Sequence, residues 1–223
     1  MAAENRFHLE VMPAPMRRVF EALAPLLSAE GFYLAGGTAV ALYYGHRRSV
    51  DLDWFRETPF EPMVLNAHLA ARGVALTVST VAEGTLIGQV GRTKVSLFGY
   101  PYPLVAPLIV WEPYATRLAS REDLICMKLA AIQQRGLKRD FIDLYCLLQD
   151  IPLERAVALY TEKYGAVAGG SLVYALTYFA DADAEPTPRL RVPLSWRTVK
   201  AFLTEQARRV FGQSSILPLG GSD

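Results

Sequence analysis

The apolar positions of the first quarter of the chain change period twice. Between 15 and 30, Phe20, Leu23, Leu26 and Leu27 fall on one stripe, so the spacing predicts an amphipathic helix that Gly31 ends. Phe32 to Ala35 is a short continuous apolar run, the mark of a buried strand. Gly36-Gly37 breaks that run, and Thr38 to Tyr44 reads as a helix beginning right after the turn, with Gly45 closing it. From Val50 to Phe55 the period drops to two. Asp51 and Asp53 alternate with Leu52 and Trp54, which predicts a strand with one polar face.

Further along, 61–72 is helical and ends at Gly73. Val74–Thr80, Thr85–Val90 and Lys94–Gly99 are rich in β-branched residues and separated by Gly84 and Gly91-Arg92, so they predict a meander. Pro101, Pro103 and Pro107 make the next segment a loop. Ser120 followed by Glu122-Asp123 starts a helix that runs to about Gln134. Gly136 separates it from a second helix over Lys138–Gln149, and Pro152 opens a third. Residues 171–180 and 195–211 are two more helices, joined by a link containing Pro186, Pro188 and Pro193. The tail from Leu217 to Asp223 is expected to fray. The order is a mixed α/β part followed by a mostly helical part, with 1–115 expected as one domain and 116–223 as a helical C-terminal region.

Composition narrows the class. At 223 residues and 52% hydrophobic content the chain can bury a sizeable core. Twenty-three Lys and Arg against 22 Asp and Glu exclude a global electrostatic grip on nucleic acid, so any polyanion site must be a local cluster. Cys126 and Cys146 fall in helices without metal-ligand spacing and are expected as buried reduced thiols. The N-terminus has no signal-peptide pattern, and uncharged stretches such as Leu104 to Trp111 are far shorter than a membrane span. A soluble cytoplasmic protein with no membrane partner is expected.

The stretch from Leu34 to Phe55 carries the candidate chemistry. Gly36-Gly37, lacking Cβ atoms, permits a sharp strand-to-helix turn and close approach of a phosphate. The following helix N-terminus offers N–H groups to an anion, and Thr38 fits either an N-cap or a phosphate-binding hydroxyl. Asp51 and Asp53 point to the same strand face, with Cα atoms about 6–7 Å apart at roughly 3.3 Å rise per residue. Like charges that close call for a cation, and this oxygen donor set suits Mg²⁺, which takes one or two carboxylates plus substrate phosphates.

Gly36-Gly37-Thr38, a short helix and an acid-apolar-acid strand resemble the signature of the polymerase-β nucleotidyltransferase superfamily. The longer string, with Gly45-His46-Arg47-Arg48-Ser49 leading into Asp51-Leu52-Asp53, resembles the AbiEii/AbiGii-type toxin family of type IV toxin–antitoxin systems. That resemblance implies an α/β (α+β) fold: a polymerase-β-like core, a small mixed sheet flanked by helices, and a helical C-terminal region. It implies an enzyme that transfers a nucleoside monophosphate from a nucleoside triphosphate to an acceptor hydroxyl such as that of tRNA. Mg²⁺ would sit on Asp51 and Asp53, and Gly36, Gly37, Thr38, Arg48 and Ser49 would cradle phosphates. A cognate antitoxin is implied as well.

A second block, 120–148, matches the family's Lys helix, basic segment and Asp-aromatic-x-Asp-Leu helix in Lys128, Arg135, Lys138, Arg139, Asp140 and Asp143. By resemblance Lys128 faces the triphosphate, and Asp140 or Asp143 holds Lys128 or another basic partner. The plain alternative is a surface lysine on the polar side of its helix. The superfamily often carries a third carboxylate on a later strand; here Ser96 is expected at that place, and a serine is neither a metal carboxylate nor a strong base.

His46, Arg47 and Arg48 fit either a phosphate contact or a solvated turn that neutralises the acids. His8 and His68 are expected at the surface, Trp54 and Phe55 in the core. Tyr100, Tyr102 and Trp111 are expected to pack, with stacking on a nucleobase as the alternative. Rival functions are transfer to a small molecule or protein, a degenerate nucleotide-binding module, and an interaction protein whose acids are surface decoration.

Overall fold

The structure is a computed structural model that describes residues 6–165 and 169–212; the N-terminal residues 1–5 and the tail from Leu217 to Asp223 lie outside the described residues. The chain divides into two compact units, Met1–Leu124 and Ile125–Asp223.

The first unit is built on a seven-stranded mixed sheet. Its strands are β1 (Tyr33–Ala35), β2 (Asp51–Arg56), β3 (Thr77–Ala82), β4 (Thr85–Val90), β5 (Thr93–Gly99), β6 (Ile109–Trp111) and β7 (Thr116–Leu118), in spatial order β3-β4-β5-β2-β1-β7-β6. The β2–β5 and β1–β7 pairs are parallel, and the other neighbours are antiparallel. The expected meander is present as β3-β4-β5, and β5 then joins the front of the sheet by lying beside β2. Helix α1 (Ala14–Ala29) presents Phe20, Leu23 and Leu27 to the core, all with no exposed surface; Leu26, read on the same stripe, lies at its margin. Leu52 and Trp54 of β2 and Leu97 of β5 are likewise fully buried, and the Trp54 ring stacks on Phe20 at 6.1 Å between centroids. The alternation in β2 therefore does what its period implies: one face enters the core and the acidic face does not.

Two strands were not visible as such in the sequence. β6 and β7 are three residues each and occupy the stretch after the Pro-rich loop, and β7 becomes a strand through its pairing with β1, where Leu34 faces Leu118. Strand β3 starts later than its apolar run, because Val74 folds back with its N–H on the carbonyl of Leu69 at 3.0 Å and closes helix α3 (Pro62–Ala71). The Pro-rich loop is pinned by Asp123, whose carboxylate accepts the N–H groups of Val105 and Ala106 at 3.1 and 3.3 Å. Ser120 caps the same turn, its Oγ accepting the Asp123 N–H at 3.0 Å. Helix α2 (Gly36–Tyr44) ends on the left-handed Gly45.

Helix α4 (Arg121–Gln134) begins in the first unit and continues into the second. The second unit adds α5 (Lys138–Leu147), α6 (Leu153–Tyr164), α7 (Gly169–Thr177), α8 (Ala180–Asp183) and α9 (Trp196–Phe211). Helix α9 is capped by Ser195, which accepts the Thr198 N–H, and buries Val199, Leu203 and Ala207, one residue per turn, against α5, α6 and α7. Helix α8 falls where a single helix over 171–180 and a link were expected. Cys126 and Cys146 are buried and not in a disulfide. Among the described residues no helix is long and apolar enough to cross a membrane.

Candidate active site

The first cluster is set by the hairpin-like return of β2 onto β1. In that ladder Ala35 pairs with Asp53, so the next residue, Gly36, arrives beside the Asp53 side chain. Gly36 has φ +65°, in the left-handed region that glycine tolerates best. A Cβ there would lie 2.8 Å from Asp53 Oδ2 and 3.2 Å from Asp53 Cβ. The turn is therefore a glycine for two reasons, conformation and contact. Helix α2 starts at Gly36 with Ala35 as N-cap and no side-chain cap. The N–H groups of its first turn, on Gly36, Gly37 and Thr38, precede any intrahelical acceptor and offer donors to an anion.

Asp51 and Asp53 share the half-exposed face of β2, with Leu52 and Trp54 buried on the other. Thr38 is the third residue of α2, so the N-cap reading does not apply to it. Its hydroxyl donates to the backbone carbonyl of Asp51, and the Ser49 hydroxyl lies 2.5 Å from it. With the Thr38 proton directed at Asp51, Ser49 is the donor of the second bond. Both residues are buried, and together they tie α2 to the entrance of β2. Arg48, between them in sequence, is exposed. His46 and Arg47 are buried, at 2% and 4% exposure, which replaces the solvated-turn reading for these two. Arg47 donates to the carbonyl of Arg48 at 3.1 Å.

Strand β5 runs parallel to β2 with Ser96 opposite Asp53 and Lys94 opposite Asp51. Directly paired residues project to the same face, so the position where the superfamily often has a third carboxylate is the buried Ser96. Lys94, an exposed cation one pair away, was not singled out from sequence; only the parallel register places it beside Asp51. Among the described residues no group of three His, Cys, Asp or Glu side chains is placed to hold a metal ion. Two carboxylates on one face still fit Mg²⁺, whose remaining ligands are ordinarily water and substrate phosphate.

Lys128, Asp140 and Asp143 meet in the second unit. Lys128 Nζ lies 2.8 Å from Asp140 Oδ1 and 2.7 Å from Asp143 Oδ2. Both carboxylates have no exposed surface, and the lysine side chain is 7% exposed, so the surface-lysine reading is wrong. The choice between Asp140 and Asp143 resolves as both. Spacing explains it: residues three apart on α5 share a face. Arg135 adds a second cation, with Nε 3.3 Å from Asp140 Oδ2.

The remaining candidates have the following neighbours. His8 and His68 are at the surface, facing Glu10 and Glu30 at 3.0 and 3.7 Å. Tyr100 packs on Phe55 and Tyr102, at 5.4 and 4.9 Å, and Trp111 on Phe7 and Tyr114, at 4.6 and 4.5 Å.

Comparison with known proteins identifies the family and the fold. A family model described as "Nucleotidyl transferase AbiEii toxin, Type IV TA system" matches residues 18–211. An uncharacterised protein of Aquifex aeolicus (strain VF5), aq_aa25, is 34% identical over 196 residues, covering 86% of this chain and 94% of that one. In fold the chain is similar to a Helicobacter pylori protein provisionally assigned as a nucleotidyltransferase (TM-score 0.57, 18% identity, 86% of this chain and 92% of that chain). It is also similar to the nucleotidyltransferase toxin MenT4, Rv2826c, of Mycobacterium tuberculosis H37Rv (TM-score 0.53, 15% identity, 91% and 85%). With the family model matching residues 18–211, most of the sequence, this chain belongs to the AbiEii nucleotidyltransferase toxin family.

Proposed function

We propose that the protein transfers a nucleoside monophosphate from a nucleoside triphosphate to an acceptor hydroxyl, in the setting of a type IV toxin–antitoxin system with a cognate antitoxin and with tRNA as the acceptor. The observation that carries the reading is the contact of the Gly36 backbone with Asp53, on the face that Asp51 shares. Asp51 and Asp53 are assigned to Mg²⁺, which when bound supplies charge neutralisation and polarisation at the α-phosphate. The first-turn N–H groups of α2, on Gly36, Gly37 and Thr38, hold phosphate oxygens, and the exposed Arg48 guanidinium adds a cation. Thr38 and Ser49 act by position: their hydroxyls hold the Asp51 backbone to α2, so the acid and the helix N-terminus keep a fixed spacing.

The family pattern alone assigns Lys128 to the triphosphate's charge; within the second unit its ammonium is held in one place between the buried carboxylates of Asp140 and Asp143. Asp140 and Asp143 are its positioning residues. In the reaction the acceptor oxygen forms a bond to the α-phosphorus, the bond to the bridging oxygen breaks, and pyrophosphate leaves. The acceptor proton passes to solvent, because Ser96 at neutral pH is not a base.

Ser96 also favours a second reading, a module that binds nucleotides without transferring them. One experiment separates the two. Each of the four α-labelled ribonucleoside triphosphates is incubated with Mg²⁺ and either total tRNA or protein acceptors, and melting temperature is followed in parallel. Transfer to tRNA by the wild type, and by no Asp51→Asn/Asp53→Asn variant, is the expected result. A triphosphate-induced rise in melting temperature with no labelled product supports the binding module. Label on protein alone refutes the RNA acceptor, and no thermal shift with any triphosphate refutes the site itself.

A further inference from the structure

The second unit holds an open cleft of about 580 Å³ where the end of α4 meets α7 and the start of α8. This volume lies within the range of about 300–1,000 Å³ typical of small-molecule sites. Its walls carry a chemistry that packing does not require. Helix α7 turns Leu172, Val173 and Leu176 into the core, each at most 2% exposed. Tyr174 and Tyr178 lie on the other side, 50% and 42% exposed. Their rings are stacked, with centroids 5.2 Å apart and planes inclined by 18°. An exposed pair of parallel rings is an unfinished stack, to which a third flat ring can add.

Polar groups stand beside that stack. Arg135 is 53% exposed and is held from behind by Asp140, through Nε alone. Its terminal nitrogens make no hydrogen bond among the described residues, so the end of the guanidinium is available to an anion. Gln133 is engaged with Ser171 at 3.2 Å and with the Tyr160 hydroxyl, which fixes the cleft's floor. Asp181 lines the same space, and its carboxylate is an acceptor suited to a ligand's N–H groups. A bare anion would meet an acid and two ring faces here; a ligand with a flat heterocycle, amino groups and one phosphate matches every wall.

We propose that this cleft binds an unpaired nucleotide of an RNA strand, the base extending the Tyr174–Tyr178 stack and its phosphate on Arg135. A duplex does not fit the description, because its bases are already stacked on one another and its ring faces are closed. A free nucleotide has the same chemistry as the RNA end, and the two sources are told apart by experiment. The site belongs to the second unit and does not depend on metal or on transfer, so its failure is distinct from failure of the proposed activity.

The test uses the full chain carrying Asp51→Asn and Asp53→Asn, which removes binding at the metal centre. Equilibrium binding is measured by fluorescence anisotropy with an end-labelled single-stranded RNA of about ten nucleotides, against a duplex of the same length and against AMP as competitor. Replacing both Tyr174 and Tyr178 by Leu is expected to weaken single-strand binding about tenfold, the usual scale for loss of base stacking. Replacing both by Phe keeps the rings and is expected to keep the affinity. Arg135→Gln is expected to lower the slope of log K against log salt by about one. If AMP competes and its competition is lost in the Leu pair, the cleft takes free nucleotides as well; if AMP does not compete, it needs the strand. Equal binding by the Leu pair and the parent, or a duplex bound as well as the single strand, overturns the proposal.

Discussion

Gly36→Ala is the sharpest single perturbation of the first cluster, because its two costs can be separated. The first is conformational: alanine at φ +65° bears the left-handed penalty of about 1–2 kcal/mol. The second is steric. The new Cβ would stand 2.8 Å from Asp53 Oδ2, with Asp53 Cβ at 3.2 Å and Cγ at 3.4 Å. Turning the carboxylate alone cannot relieve this, since Asp53 Cβ is fixed by the backbone of β2. The Asp53 side chain must leave its rotamer and the turn must give by a few tenths of an ångström, at a further cost of about 0.5–1.5 kcal/mol. A total of about 1.5–3.5 kcal/mol corresponds to a fall in melting temperature of about 3–14 °C for a chain of this length.

Gly31→Ala is the control. Gly31 has φ +85° and nothing within 4 Å of an added Cβ, so it bears the conformational penalty without the clash. The assay is thermal unfolding of wild type, Gly31→Ala and Gly36→Ala, each with and without Mg²⁺ and triphosphate. Gly36→Ala is expected to be the less stable variant and to lose most of the ligand-induced rise, while Gly31→Ala keeps it. Equal stability of the two variants, with the full ligand-induced rise in both, would refute the argument that Gly36 is there to let Asp53 approach.

Two other outcomes follow from charges. Lys128→Met removes the ammonium held between two fully buried carboxylates while Arg135 stays on Asp140, and breaking such a pair costs about 3–5 kcal/mol; chemical denaturation with unchanged m-value reads it, and a loss below about 1 kcal/mol would show that the cluster does not hold the helices together. Asp183 has its pKa lowered chiefly by the indole N–H of Trp196, against a smaller opposing effect of burial and with help from Lys200 at 2.9 and 3.1 Å. Its contribution to stability is therefore present above the ordinary carboxylate pKa of about 3.9 and is lost as pH falls through the lowered folded value. Melting curves from pH 7 to pH 3 should show Asp183→Asn less stable than wild type at neutrality and the gap closing in acid; a gap that widens in acid refutes the assignment.

Local pattern determined much of this protein. The stripe of α1, the alternation of β2, the cap at Ser120, and the breaks at Gly31, Gly36, Gly45 and Gly73 all lie within a few residues of the groups they act on, so period and turn chemistry reveal them. The acid pair was legible for the same reason, since two residues on one strand face need no partner to share it. Even Lys128 and the two aspartates could be picked out, though through a family pattern and not through spacing.

Tertiary structure alone decided what faces what. Strands β6 and β7, three residues each, exist through pairing, β7 with β1 and β6 with β7, and carry too little local signal to be seen. Lys94 comes beside Asp51 only because β5 runs parallel to β2, a register set by contacts between residues about 43 apart in sequence. The fate of Thr38 and Ser49 was likewise invisible: each hydroxyl suits a phosphate by type, and only the fold turns them toward one another and the Asp51 carbonyl. Burial made the same decision for Lys128, Asp140, Asp143, His46 and Arg47, because desolvation depends on everything packed around a side chain and not on its neighbours in the chain.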